Sequence, residues 1–296
     1  MEIKKRIEVA AFYGTQQIAF LKKQAGNINI PFEVLKFSDG SLRVTLDKDV
    51  LASLDNPQFV NITAYIESMD DVMVVAQIKD VIDRHLRFHQ VYLTVTSPIY
   101  SRYDRVMLGN DGFGAKVFAD FINSIGFACV HYYDCHSDVL VDLTKASTNI
   151  EQTLLVREMV EDSHLSIAPD KGACKKNPTA KLMFSKMRDL VTGKIQGVAI
   201  AVYNDLKKDV TYTVVDDLCE GGRTFVEVAL AFSEYYDNNL NLYVTHGLFT
   251  NGAFGKLLSY YKHIYVYFLK ESVYNTLTES QKECVTVKYL IKEDEA

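Results

Sequence analysis

The chain is poor in the features that would classify it at a glance. Its 296 residues hold no Trp, only 5 Pro and only 5 Cys. The cysteines (Cys129, Cys135, Cys174, Cys219 and Cys284) are odd in number and never form a CxxC pair. That pattern argues against a disulfide framework or a structural zinc site and fits a reducing compartment. No run approaches the ~18 apolar residues of a membrane span, and the charged start of the chain is not followed by a signal-like apolar core. A soluble, intracellular protein with no membrane partner is expected. An excess of positive charge is also missing: 32 Lys and Arg face 38 Asp and Glu, for a formal net charge of −6. A general nucleic-acid surface is therefore not expected, and anionic ligands would need locally placed cations.

What the chain does have is 48% hydrophobic residues and no long polar tract, enough to bury cores in two domains of ordinary size. Strand candidates at 9–13, 59–66, 91–95 and 128–133 alternate with helical patterns at 16–25, 71–85 and 114–125, the last closed by Gly126. The alternation then resumes. A helical pattern covers 150–160, a short strand 165–168, and 179–183 is expected to continue a helix; strands follow at 198–203, 212–215, 242–245 and 264–268, with helices starting from Gly222 and Gly252. Such alternation predicts an α/β fold of mainly parallel sheets flanked by helices. The boundary is placed near 145–150, with 144–147 as a linker, giving domains at 1–147 and 148–296.

The most informative stretch is Thr213-Val214-Val215-Asp216-Asp217-Leu218-Cys219-Glu220-Gly221-Gly222-Arg223-Thr224. It reads as strand, acidic pair, anion loop and helix. Ligands of open α/β sheets sit at the carboxyl ends of strands, and exposed amides at a glycine turn opening a helix attract phosphate. Asp216 and Asp217 supply acceptors for vicinal hydroxyls or a divalent cation. The competing reading is an ordinary strand-to-helix turn with a solvated acidic pair, but the twelve-residue order resembles the ribose-phosphate motif of the type I phosphoribosyltransferase superfamily.

Other clusters carry weaker signals alone. Ser101-Arg102-Tyr103-Asp104-Arg105 offers guanidinium groups that can clamp phosphate bidentately, though a solvated charge run is the plainer reading. Asp134-Cys135-His136-Ser137-Asp138 follows a strand, where a histidine can bind a metal, touch phosphate or move a proton. Ser166-Ile167-Ala168-Pro169-Asp170-Lys171-Gly172 ends a strand in a carboxylate suited to magnesium, which keeps waters and phosphate oxygens. Lys186-Met187-Arg188 places cations on one side of an extended loop able to close over a phosphoryl group; a basic surface loop is the alternative.

In this order the clusters resemble those of the ribose-phosphate diphosphokinases, also called phosphoribosyl pyrophosphate synthetases, across nearly the whole chain. Phe37-Ser38-Asp39-Gly40 is similar to the family's FSDGE segment, Arg102-Tyr103-Asp104-Arg105 to RQDR, Asp134-Cys135-His136-Ser137 to DLHS, and Ala168-Pro169-Asp170-Lys171-Gly172 to SPDxGG. The resemblance implies two phosphoribosyltransferase-like domains: an ATP side at 1–147 and an acceptor side at 148–296, whose tail packs on the first domain. It implies transfer of the β,γ-diphosphoryl group of ATP, with Mg2+, to the anomeric hydroxyl of a ribose 5-phosphate, releasing AMP.

By the same resemblance Lys186, Arg188 and His136 are catalytic, and His136 and Asp170 hold the magnesium nucleotide. Phe37, Asp39, Ser41, Arg102, Tyr103, Asp104, Arg105 and His136 bind ATP, the adenine pocket being shared with a neighbouring subunit of a homo-oligomer, dimer or hexamer. Asp216, Asp217, Glu220, Gly221, Gly222, Arg223 and Thr224 bind the ribose phosphate. The chain departs from the pattern at Ser41, at Tyr103 and in the acceptor loop, where the family's Asp-Thr-Ala/Gly-Gly-Thr is replaced by Glu220-Gly221-Gly222-Arg223-Thr224. A reaching arginine suits a diphosphate diester, so ADP-ribose is carried as an alternative acceptor, as in the phage ADP-ribose pyrophosphate synthetases of NAD rebuilding. A host cytoplasm would then be its location. A non-catalytic regulatory homologue and a nucleobase phosphoribosyltransferase remain open as alternatives.

Overall fold

The chain divides into two compact units, one comprising the described residues up to Ile150 together with Lys292, the other spanning Glu151–Ile291. A computed structural model describes residues 6–12, 27–55, 57–86, 90–97, 99–188, 195–203, 209–235 and 239–292, with the backbone alone for 186–188 and 195–203. The helix expected at 16–25 lies outside the described residues.

The first unit contains β1 (Ile7–Phe12), β2 (Ile28–Asn29), β3 (Phe32–Lys36), β4 (Leu42–Leu46), α1 (Lys48–Ser53), β5 (Phe59–Ala64), α2 (Met69–His85), β6 (Gln90–Val95), α3 (Gly114–Ile125), β7 (Cys129–Tyr133), α4 (Val139–Leu143) and β8 (Ser147–Ile150). Its sheet runs β2-β1-β5-β6-β7-β8. Strands β5 to β8 are parallel, whereas β1 and β2 join antiparallel at one edge. Buried Val60, Ile62, Ala64, Leu93 and Val95 meet Val74, Val75, Ile78 and Ile82, spaced along α2 so that they share one face.

The start of α2 is tied to the residue just before β1. The wholly buried Asp71 accepts from the Glu67 and Ser68 amides at 2.8 and 2.9 Å and from Arg6 at 2.8 Å. At the other end of the neighbouring helix, Gly126 closes α3 in the left-handed region at φ 78°. Gly126→Ala is expected to lower stability by about 1 kcal/mol in urea titration, from backbone strain alone, since a Cβ there meets nothing within 4 Å.

The second unit contains α5 (Gln152–Arg157), β9 (Leu165–Ala168), α6 (Lys171–Lys176), β10 (Leu182–Arg188), β11 (Ile195–Tyr203), β12 (Tyr212–Cys219), α7 (Arg223–Ser233), β13 (Leu240–Gly247), α8 (Ala253–Leu257), β14 (Ile264–Lys270), α9 (Glu271–Tyr274), α10 (Glu279–Lys282) and β15 (Val285–Ile291). The sheet order is β11-β10-β9-β12-β13-β14-β15, parallel throughout except for the β10–β11 hairpin. Both units are thus helix-flanked, largely parallel sheets, the architecture expected from the alternation.

Three local expectations change. Residues 179–183 do not continue a helix: 179–181 lie in a turn and bend, and Leu182 opens β10, parallel to β9, with Leu182 and Phe184 wholly buried on alternate positions. The expected linker at 144–147 is ordered instead. Thr144 closes α4, and Ser147 opens β8 while its Oγ donates to the Val141 carbonyl at 2.7 Å. The strand expected at 212–215 runs on to Cys219, because β13 offers it a partner along its whole length.

Candidate active site

In the first unit, β7 delivers the Asp134-to-Ser137 cluster through a strained corner. Asp134 has φ 45°, a conformation uncommon outside glycine, yet it is buried and held by its amide to the Ile150 carbonyl at 3.0 Å. The next amide, of Cys135, donates to Asn149 Oδ1 at 3.1 Å. Strand β8 therefore sets where the exposed His136 stands. The Arg102-to-Arg105 turn comes to the same place. Arg105 grips Asp104 with Nε at 2.8 Å and Nη2 at 3.0 Å, holding that carboxyl below the usual range, with help from the Ser137 hydroxyl and the His136 ring. Two clusters separated in sequence are one cluster in space.

The Phe37-to-Ser41 segment is the turn of the β3–β4 hairpin, a sheet of its own. Gly40 takes φ 88°, and Asp39 Oδ1 accepts from the Ser41 amide and hydroxyl at 2.9 and 2.7 Å. Those bonds hold the Asp39 carboxyl below its ordinary value. The Ser41 hydroxyl thus adds one bond to the backbone bonds that close the turn. Phe37 stays exposed, with the Arg43 guanidinium 5.9 Å from its ring centre.

The second unit gathers its carboxylates by a difference in strand length. Strand β9 pairs with β12 only as far as Ile167 opposite Val214, while β12 continues beside β13 to Cys219. The acidic pair therefore lies inside the overrunning part of β12, not past the strand's end. Asp170 follows β9 and caps α6, its Oδ1 accepting from Gly172 and Ala173 amides at 2.9 and 3.1 Å. From the end of that same helix, Lys176 Nζ returns to Asp217 Oδ2 at 2.8 Å. Burial, then the neighbouring Asp217 and Asp170 carboxylates, push the Asp216 carboxyl well above the ordinary range, against the pull of Lys176.

The glycine turn next to this cluster is fixed from behind. Gly222 stands at φ 70° as the cap of α7, where a Cβ would lie 3.1 Å from Leu257 and 3.3 Å from Ala253. Leu248 and Phe249 amides donate to the Cys219 carbonyl at 2.9 and 3.1 Å, and the Thr250 amide to the Glu220 carbonyl at 3.0 Å. Arg223 lies along its own helix, 80% exposed, with Nε 2.7 Å from Glu227.

The sequence reading missed Lys176 and the 247–250 segment. Their signals were a lysine six residues after Asp170 and a glycine closing a buried strand, neither of which points to a ligand by itself. Lys186 and Arg188 are not on a loop: their backbone lies in β10, paired antiparallel with β11 opposite Val198 and Ile195, and their side chains lie outside the described residues. Among the described residues no three His, Cys, Asp or Glu stand close enough to hold a metal, and no helix is long and apolar enough to cross a membrane. The carboxylate oxygens present are nonetheless of the kind magnesium takes, an ion that fills much of its shell with water and phosphate oxygens.

No family model matches the chain. Curated relatives do: the ribose-phosphate pyrophosphokinase of Shewanella oneidensis is 25% identical over 230 residues, 74% of this chain and 71% of that protein. The protein of the same name from Haemophilus ducreyi is 26% identical over 235 residues, 75% of this chain and 72% of that one. Among solved structures, the phosphoribosylpyrophosphate synthetase of Mycobacterium smegmatis shares the fold with a TM-score of 0.64 at 19% identity, covering 87% of this chain and 85% of its own. In sequence over three quarters of the chain, and in fold over most of it, this protein is thus similar to the ribose-phosphate pyrophosphokinases.

Proposed function

We propose that the protein transfers the β,γ-diphosphoryl group of ATP to the anomeric hydroxyl of ribose 5-phosphate, releasing AMP. The observation that carries this reading is the second unit's arrangement: the carboxylates Asp216 and Asp217 on the overrunning end of β12, followed by a left-handed glycine turn that opens α7. Carboxylates suit vicinal ribose hydroxyls, and amides at the start of a helix suit a 5-phosphate.

In this reading Glu220, Gly221, Gly222, Arg223 and Thr224 wrap the phosphate, and Asp216 and Asp217 hold the hydroxyls, aiming the anomeric oxygen at the β-phosphorus. Bonding to that oxygen breaks the bond to AMP, and the hydroxyl proton is lost. Lys186 and Arg188 are assigned to the charge that develops on the transferring group, which in such reactions is met by positioning and by aimed cations. Phe37, Asp39, Ser41, Arg102, Tyr103, Asp104 and Arg105 are assigned to ATP. Asp170 and His136 are assigned to hold Mg2+, which when bound neutralises phosphate charge. A homo-oligomer in which a neighbour's hairpin completes the adenine pocket belongs to the same reading.

The orientation of Arg223, bound to Glu227 one turn along, favours the shorter acceptor over ADP-ribose. The test supplies ribose 5-phosphate and ADP-ribose separately with magnesium ATP and follows AMP release. Release with ribose 5-phosphate is expected. Activity confined to ADP-ribose would transfer the same chemistry to a different acceptor, and silence with both would end the reading.

A further inference from the structure

We infer that Lys176 is the positioning residue for Asp217, the means by which the acceptor carboxylate is held in place and aimed. The inference rests on the acceptor reading above and adds to it a side chain 41 residues away in sequence.

The geometry is specific. Lys176 is the last residue of α6, and its ammonium donates to Asp217 Oδ2 at 2.8 Å. The partners are largely buried, with side-chain exposures of 20% for the lysine and 7% for the aspartate. A pair on open surface would contribute little. In this setting the removal of one partner strands the other's charge away from water. The short helix gives both ends of itself to the same place: Asp170, its cap, and Lys176, its last residue, both act on the Asp216 carboxyl, one raising and one lowering it.

A lysine is also the cation suited to this task. Its compact ammonium acts as a point charge, whereas a guanidinium grips a carboxylate through both oxygens. The contact to Oδ2 fixes the carboxylate's rotation without requiring the second oxygen. With Lys176 removed, the buried carboxylate beside Asp216 loses the contact that fixes its rotation and turns away, and acceptor binding weakens while the ATP side is untouched.

The experiment compares wild type, Lys176→Met, Lys176→Arg, Asp217→Asn and the Lys176→Met/Asp217→Asn double variant, with acceptor and ATP varied in turn and thermal midpoints recorded. For Lys176→Met the KM for ribose 5-phosphate is expected to rise about tenfold, as for loss of a hydrogen bond to a charged group, with the KM for ATP unchanged. Lys176→Arg, which keeps the charge but grips both oxygens, is expected to recover only part of that loss, and in the Asp217→Asn background removal of Lys176 is expected to add nothing. A purely structural lysine would lower the thermal midpoint and the active fraction without moving either KM. An unchanged acceptor KM in Lys176→Met, or losses that simply add in the double variant, would overturn the inference while the wild type's activity left the acceptor reading intact. A wild type inactive with both acceptors overturns that reading, and this inference with it.

Discussion

Asp216→Asn is expected to make the protein more stable at neutral pH and far less active. Burial and the neighbouring Asp217 and Asp170 carboxylates lift the Asp216 carboxyl well above its ordinary value. In the unfolded chain the same group ionises at about pH 4. The folded state therefore keeps a proton that the unfolded state has already lost, so its stabilisation by this group is complete below about pH 4 and disappears as pH rises through the raised value. At pH 7 the carboxyl weakens the fold, and asparagine, still able to accept from the Asp217 amide as Asp216 Oδ1 does at 2.9 Å, removes that burden. The function suffers instead. A carboxylate bonded to a ribose hydroxyl contributes about 1.5–3 kcal/mol, so kcat/KM for ribose 5-phosphate should fall by about 10- to 100-fold. Thermal midpoints of the two proteins should converge toward pH 3. A variant that melts below wild type at pH 7, or one that keeps full activity, would refute this account of Asp216.

Gly247→Ala is expected to lower stability by about 3 kcal/mol, the upper end of the usual range for overpacking a core. Gly247 is the last residue of β13, and a Cβ there would run into the Phe249 ring and come within 2.7 Å of Val266 Cγ1. Neither neighbour can give way easily. Val266 is wholly buried in β14, and Phe249 is buried, stacked on Phe254 at 4.0 Å and already at φ 43°. Moving Phe249 also disturbs the amides of 248–250 that hold the Cys219 and Glu220 carbonyls. Urea unfolding should report the loss of stability, and the folded fraction should bind ribose 5-phosphate more weakly. A change within about 0.5 kcal/mol would mean that the loop has room to relax, as ordinary surface positions do.

These effects show where the sequence was readable. The strand-to-helix order around Asp216 and Gly222 was legible because β-branched runs, paired glycines and helical periodicity act between near neighbours along the chain. The same holds for Gly126 closing α3, found where its pattern placed it. Residues 179–183 were misread because a short apolar run has no period long enough to separate helix from strand; the parallel partner β9 decided the matter. The expected linker at 144–147 was misread for a similar reason, since Ser147 becomes a strand residue only beside Val130 of β7.

By itself, then, the sequence determined the alternation, and with it two helix-flanked parallel sheets, together with the chemical types at the strand ends. Local propensity and patterning carry that much because they need no knowledge of distant partners. Only the tertiary structure decided that β12 outruns β9, so that Asp216 and Asp217 stand above Asp170, that Lys176 crosses 41 residues to reach Asp217, and that 248–250 grip the turn before α7. Such contacts depend on which strands become neighbours and where each one stops. The upward shift of the Asp216 carboxyl follows from its surroundings, burial first and then the Asp217 and Asp170 carboxylates, and no stretch of chain around it encodes that alone.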